Sequence, residues 1–170
     1  MVTIRAADDR DRAAVLAMLR PVVAAGEAYA LDRDMGDAAL AGYWFGADKT
    51  VFVAEEDGVL LGSYYLRANQ AGGGAHVANA GYVTDVAARG RGVARAMARH
   101  SFDTARAAGY RAMQFNFVIA SNHVAVTLWQ ALGFAIVGRL PGVFDHPRLG
   151  PVDALVMHRW LVDPAAARNA

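Results

Sequence analysis

Apolar and polar positions alternate along this chain with two periods, and the switches between them predict its elements. From about Val2 to Ala6 the run reads as a short strand. Val15, Leu16 and Leu19 then recur at helical spacing, behind Asp8 or Asp9 as the helix cap. Pro21 is expected to kink or end that helix, because it lacks the N–H that the turn needs. GEAYALDRDMGD reads as a connection, and Ala38 to Phe45 as a short second helix. TVFVAEEDGVLLGSYYL holds two β-rich runs around Glu56, Asp57 and Gly58, and Asp-Gly between such runs predicts an antiparallel hairpin. Beyond the flexible AGGGA loop, HVANAGYVTDV reads as a strand in which Gly81 marks a bulge or a close backbone approach. VARAMARHSFDTARAAG is a helix stopped at Gly109, MQFNFVI a strand, SNHVAVTLWQALG a helix, and FAIVGRL and VDALVMHRWL the last strands. The order predicts an α/β fold whose mixed sheet is antiparallel in its N-terminal half and βαβ-type in its C-terminal half.

Composition narrows the class. At 170 residues the chain is expected to form a single domain over residues 1–162, with DPAAARNA, 163–170, as a flexible tail. Hydrophobic residues make up 55% and charged ones 19%, as in ordinary folded proteins, and no apolar run approaches the roughly 18 residues of a spanning helix. MVTIRAADDR lacks the apolar core of a signal peptide, which points to a cytoplasmic protein without a membrane partner. The absence of cysteine excludes disulfides and thiolate metal sites, and His76, His100, His123 and His158 show no paired metal-ligand spacing, so no metal is expected. A net charge of +1 provides no global field to draw in nucleic acid.

The densest chemistry lies in VAARGRGVARAMARH. On a helix from Val93, Arg95, Arg99 and Arg106 share one face, opposite Met97, Ala98, Ser101 and Ala105, and so face water. In the turn before it, Gly90 and Gly92 keep side chains away from the free N–H groups of a helix N-terminus, which with the helix dipole favour a phosphate. Arg95 stands where the dinucleotide fingerprint needs its third glycine, and no Gly-Lys-Ser/Thr makes a nucleotide P-loop. Arg89-Gly90-Arg91-Gly92-Val93-Ala94, after Tyr82-Val83-Thr84, instead resembles the R/Q-x-x-G-x-G/A motif of the GNAT acetyltransferase superfamily. NHVAVTLWQALGF, from Asn122 to Phe134, resembles that family's N-x-x-A-x-x-L-[YW]-x-x-L-G-F signature. The resemblance covers about Thr3 to Trp160 and is specific between Ala78 and Phe134. It implies the GNAT fold, with about six to seven strands in a mixed sheet flanked by about four helices, acetyl-CoA as co-substrate, and a homodimer as a common assembly.

For single residues the resemblance implies a division of labour. Tyr82, Val83 and Thr84 would offer backbone groups to the pantetheine and the acetyl carbonyl, and the segment Arg89, Gly90, Arg91, Gly92, Val93, Ala94 and Arg95 would hold the pyrophosphate. Asn122 would cap its helix and contact the pantetheine arm. Trp129 stands where many relatives carry a tyrosine that protonates the departing thiolate, and an indole N–H is no such acid. A simple thiol has a pKa near about 8.5, so a thiolate can leave unprotonated. Asn79, Asn116 and Asn122, within FNFVIASN and LWQALGF, resemble the branch that acetylates small cyclic secondary amines, the azetidine-2-carboxylate and proline-analogue acetyltransferases. On that likeness Asn79 and Asn116 would position the substrate or a water that takes the ammonium proton. Glu27 and Tyr29, in the loop between the first helices, are candidates for base and substrate contact, and His146 lies in a late loop able to reach the site.

The leading expectation is an N-acetyltransferase (EC 2.3.1 type) acting on a small amino-acid-like amine by direct attack in a ternary complex. The rivals are acetylation of a protein or peptide amine, an acyl-CoA binder without turnover, and a nucleic-acid binder using the arginine face.

Overall fold

The structure is a computed structural model that describes residues 1–167. Its elements are β1 (Thr3–Ala6), α1 (Arg12–Ala25), α2 (Asp37–Trp44), β2 (Thr50–Glu56), β3 (Val59–Ala68), β4 (Val77–Thr84), α3 (Val93–Ala107), β5 (Ala112–Ile119), α4 (His123–Ala131), β6 (Ala135–His146), β7 (Gly150–Trp160) and a single helical turn α5 (Pro164–Ala167). The strands form one seven-stranded sheet in the order β1-β2-β3-β4-β5-β7-β6, with β4–β5 the parallel pair. The predicted α/β fold, antiparallel first and crossing over second, is the fold observed.

Strand alternation divides the core into two layers. Tyr64 and Leu66 of β3 and Ala78 and Ala80 of β4 face Met97, Phe102 and Ala105 of α3, with Trp129 of α4 at the end of that layer. Their neighbours Tyr65 and Val83 face the opposite way, onto Val15, Leu19 and Val23 of α1 and Leu40 and Trp44 of α2. The hairpin turns through Asp57 and Gly58, both at positive φ (51° and 78°), which is the geometry that Asp-Gly favours. Gly109, at φ 87°, ends the α3 region as expected.

Four expectations change. Helix α1 does not stop at Pro21 but runs on to a left-handed Gly26, because its buried stripe Val15, Met18, Leu19 and Val23 spans the proline. Asp8 caps not α1 itself but a 3₁₀ turn, Asp9–Asp11, that leads into it. Gly81 sits in a β3–β4 ladder without a register shift; a Cβ there would lie 2.5 Å from Cε1 of Tyr65, so the close approach comes from a ring rather than from backbone. The expected strand FAIVGRL does not end at Leu140: PGVFDH, part of the expected late loop, continues β6, and the edge position tolerates Pro141 through register shifts between Leu140 and Phe144. Of the expected flexible tail, Pro164–Ala167 form the α5 turn and residues 168–170 lie outside the described residues. Among the described residues no helix is long and apolar enough to cross a membrane.

Candidate active site

The site arises where the sheet comes apart. Strands β4 and β5 pair through only Val77–Ala112 and Ala78–Met113, although β4 runs on to Thr84. At the point of separation Asn79, 8% exposed, donates from Nδ2 to the Gln114 carbonyl at 2.9 Å. Its side chain replaces the next ladder bond, which explains an asparagine inside a strand: a buried carbonyl left bare costs about 1–3 kcal/mol. A register shift between Phe115 and Val118 then bends β5 away. The gap opens into a cleft of about 380 Å³.

The cleft brings together six of the residues singled out in the sequence, Tyr29, Asn79, Tyr82, Asn116, Asn122 and Trp129. Tyr29 donates its hydroxyl to the Tyr82 carbonyl at 2.6 Å, and burial raises its pKa well above the usual tyrosine value, so it stays neutral. Tyr82 turns its ring the other way, where its hydroxyl meets Ser101 Oγ at 2.7 Å and burial again raises the phenol pKa. Asn116 accepts from Gln114 Nε2 at 2.8 Å and donates to Asn69 Oδ1 at 2.7 Å, forming an amide chain across the rim. Asn122 caps α4, its Oδ1 accepting from the Ala125 amide at 3.2 Å, which leaves Nδ2 as a donor. Trp129, 8% exposed, packs on Tyr82 and Phe115 at ring-centroid distances of 4.9 and 4.8 Å, and is thus both core and cleft wall.

Two candidates lie elsewhere. Glu27 is not among the lining residues, and its carboxylate is paired with Arg148 at 2.9 Å. His146 ends β6, buried, with Nδ1 accepting from the Arg148 amide. Conversely Tyr43, Tyr65, Arg67 and Phe117 line the cleft without having been singled out. The period of two in β3 puts Tyr65 and Arg67 on one face; what the sequence hides is the register that sets Arg67 opposite Asn79 and Tyr65 opposite Gly81. Arg67 is the one charged residue among the described lining residues, which include no Asp, Glu or His.

The glycine-arginine turn forms the second part of the site. Asp85 accepts from the Ala87 amide and caps a 3₁₀ turn, Val86–Ala88, after which Gly90 and Gly92 take φ of 77° and 80°. Gly92 is the N-cap of α3 and has no side-chain cap, so the first amides of the helix remain without intrahelical partners. A Cβ at either glycine would meet nothing within 4 Å. Buried Val93 fixes the helix start in the core, while Arg89 and Arg95 are exposed and Arg91 is ion-paired with Glu56. Open backbone amides at a helix N-terminus, next to a strand edge without a ladder partner, fit a pyrophosphate followed by a pantetheine arm. Among the described residues there is no cluster of three or more potential metal ligands.

Comparison with known proteins identifies the family and the fold. The model of the acetyltransferase (GNAT) family matches residues 19–134. A GCN5-related N-acetyltransferase from Kribbella flavida is 44% identical and superimposes with a TM-score of 0.89 over 94% of this chain and 97% of its own. The phosphinothricin acetyltransferase (Pat) from Sinorhizobium meliloti, solved in complex with AcCoA, shares the fold, with a TM-score of 0.83 at 22% identity over 97% of this chain and 91% of that one. N-acetyltransferase aca1 of Schizosaccharomyces pombe is 32% identical over 101 residues, 57% of this chain and 47% of that protein, so the match spans about half the length of that curated relative. The chain belongs to the GNAT family of acetyltransferases, whose solved members include complexes with acetyl-CoA.

Proposed function

We infer that the protein transfers acetyl from acetyl-CoA to the amine of a small, amino-acid-like acceptor, cyclic secondary amines included, by direct attack. The observation that carries this reading is the cleft at the β4–β5 separation: it is small, walled by aromatic rings, and holds Asn79 and Asn116 with a single charged group. A volume of about 380 Å³ is at the lower end for small-ligand sites and suits a thioester end with a compact acceptor. Solved structures that share the fold at 22% identity include proteins named as phosphinothricin acetyltransferases and one named as a ribosomal-protein-alanine N-acetyltransferase, so the choice of a small acceptor over a polypeptide rests on the cleft.

The residues divide the work as follows. The turn from Gly90 to Arg95 binds the pyrophosphate through its open amides, that of Arg91 being held by the Ala88 carbonyl, and the β4 edge at Tyr82, Val83 and Thr84, where the Tyr82 carbonyl already accepts from Tyr29, aligns the pantetheine and the acetyl carbonyl with Asn122 Nδ2. With its Nδ2 committed to Gln114, Asn79 offers Oδ1 to the acceptor nitrogen. That nitrogen attacks the thioester carbonyl; the C–N bond forms as the C–S bond breaks, and CoA leaves as thiolate. No carboxylate or imidazole is found among the described lining residues, so the ammonium gives one proton to water before the attack, and the proton left on the newly acylated nitrogen passes to water or to the departing thiolate. Glu27, held by Arg148, acts at most from outside the cleft. The same reading carries a cytoplasmic homodimer, which light scattering on the purified protein tests for mass.

The test is calorimetry with CoA followed by a thiol-release assay on matched panels of small amino acids, simple amines and peptides. Micromolar CoA binding with turnover of the amino acids is the expected result. Turnover confined to peptides, or CoA binding with no turnover on any panel, overturns it.

A further inference from the structure

The acceptor reading leaves open what holds the part of the molecule that does not react, and one side chain of β3 addresses it. Arg67 lines the cleft opposite Asn79 on the neighbouring strand, so their side chains share a face with Cβ atoms about 4.5–5.5 Å apart. Its Nη1 donates to Asp48 Oδ2 at 3.0 Å. Its Nε is buried and has no hydrogen-bond partner. An orphaned, buried guanidinium N–H costs free energy unless a ligand supplies the acceptor. Asp48 occupies one end of the guanidinium and leaves the Nε–Nη2 edge, the pair of parallel donors that a carboxylate engages bidentately.

Charge points the same way. Lys49 Nζ also contacts Asp48, at 3.3 Å, and lies 5.4 Å from the ring centroids of both Tyr43 and Tyr65, behind the cleft wall. Two cations therefore share one carboxylate, which leaves the Arg67 end of the cleft with a local excess of positive charge. That field attracts an anion and repels polyamines or lysine-rich peptides.

We propose that Arg67 is the specificity-determining clamp for a carboxylate on the acceptor, with Asp48 as its positioning residue. This rests on the small-acceptor reading and refines it: the acceptor carries its carboxylate one carbon from the reacting nitrogen. An acid seated on the Nε–Nη2 edge then presents its amine to Asn79 Oδ1 across the strand pair. An amine without the acid group leaves the Nε donor unmatched and is held poorly.

Two measurements on the full chain test the clamp. In the first, calorimetry in the presence of CoA compares N-acetyl-L-proline with N-acetyl-L-prolinamide, two product-like probes that differ in the acid group. The acid is expected to bind about 10- to 100-fold more tightly, the range for charge-assisted hydrogen bonds. Arg67→Gln is expected to erase that preference while leaving CoA affinity unchanged, with Arg67→Lys restoring only part of it. In the second, KM is compared for proline-type acceptors and their amides; Arg67→Gln raises KM for the acids and scarcely changes kcat. Equal binding of both probes, no binding of either, or an Arg67→Gln variant that weakens acid and amide alike overturns the clamp. Acid-selective binding that Arg67→Gln abolishes, without turnover of any amine, leaves the clamp standing and instead overturns the small-acceptor transferase reading.

Discussion

Asn79 joins two strands that have otherwise stopped pairing, so its replacement reads out on stability and chemistry together. Asn79→Ala leaves the Gln114 carbonyl unmatched in a buried setting and is expected to lower stability by about 1–3 kcal/mol in urea titrations. Its loss of kcat/KM for the acceptor should exceed any loss for acetyl-CoA, because the pyrophosphate cradle lies on other residues. Trp129 offers the complementary test. No acid stands at that position, so Trp129→Tyr is expected to raise single-turnover acetyl transfer at pH 7 by up to about tenfold. Trp129→Phe also removes ring volume from the contacts with Tyr82 and Phe115, yet supplies no proton and brings no such gain. Arg99 and Arg106, alike in the sequence, separate in the structure. Arg106 donates to the Leu161 carbonyl at 2.6 Å and pairs with Asp103, so its removal affects the fold, whereas Arg99→Ala should barely change KM for acetyl-CoA.

At the level of elements, the α3 start can be tested with a built-in control. Gly92→Ala and Gly58→Ala each force a Cβ onto a residue at φ near 80°, and neither Cβ meets protein within 4 Å. Backbone strain of about 1 kcal/mol is therefore common to both. Only Gly92→Ala is expected to weaken CoA binding, by about tenfold or more in calorimetry. Pro21 makes an opposite prediction. It is exposed and lies inside α1, so Pro21→Ala restores an N–H without removing a buried contact, and a gain of about 1–3 kcal/mol in urea unfolding is expected. Local signals made much of this legible: Asp-Gly at the hairpin, Gly109 after α3, and Asn122 before α4 each act within a few residues. Of the two outcomes expected at Pro21 the helix end does not occur, and the loop expected after Leu140 is strand, because tertiary placement, a buried stripe in one case and a sheet edge in the other, outweighs the local preference. Arg67 escaped notice for a related reason, since its meaning depends on a cross-strand register and on Asp48.

For the whole molecule, two pH profiles should differ in origin. With no Asp, Glu or His among the described lining residues, kcat/KM is expected to rise with pH and to track the amine pKa of each acceptor used. Stability is expected to fall on the acid side for another reason. Burial lowers the pKa of His100, whose Nδ1 meets the Tyr64 hydroxyl at 2.7 Å, and of His158, so the folded state disfavours their charged forms. Their stabilisation is complete above the unfolded value of 6.5 and is lost as pH falls below it towards the depressed folded values. Melting curves at pH 7.5 and 5.5 should show the loss, and His100→Gln should flatten part of it. The broken ladder between β4 and β5 also has a mechanical side. Two ladder pairs, the Arg111 amide on the His76 carbonyl and the side-chain amides of Asn79 and Asn116 fasten the N-terminal four strands to the C-terminal three, the fewest ladder pairs that any two neighbouring strands share, which makes that seam the weakest line in the sheet. A ligand lodged there acts as a rivet across the tear: at a hundred times its Kd it adds about 2.7 kcal/mol to unfolding, and amide exchange should slow on both banks of the seam at once.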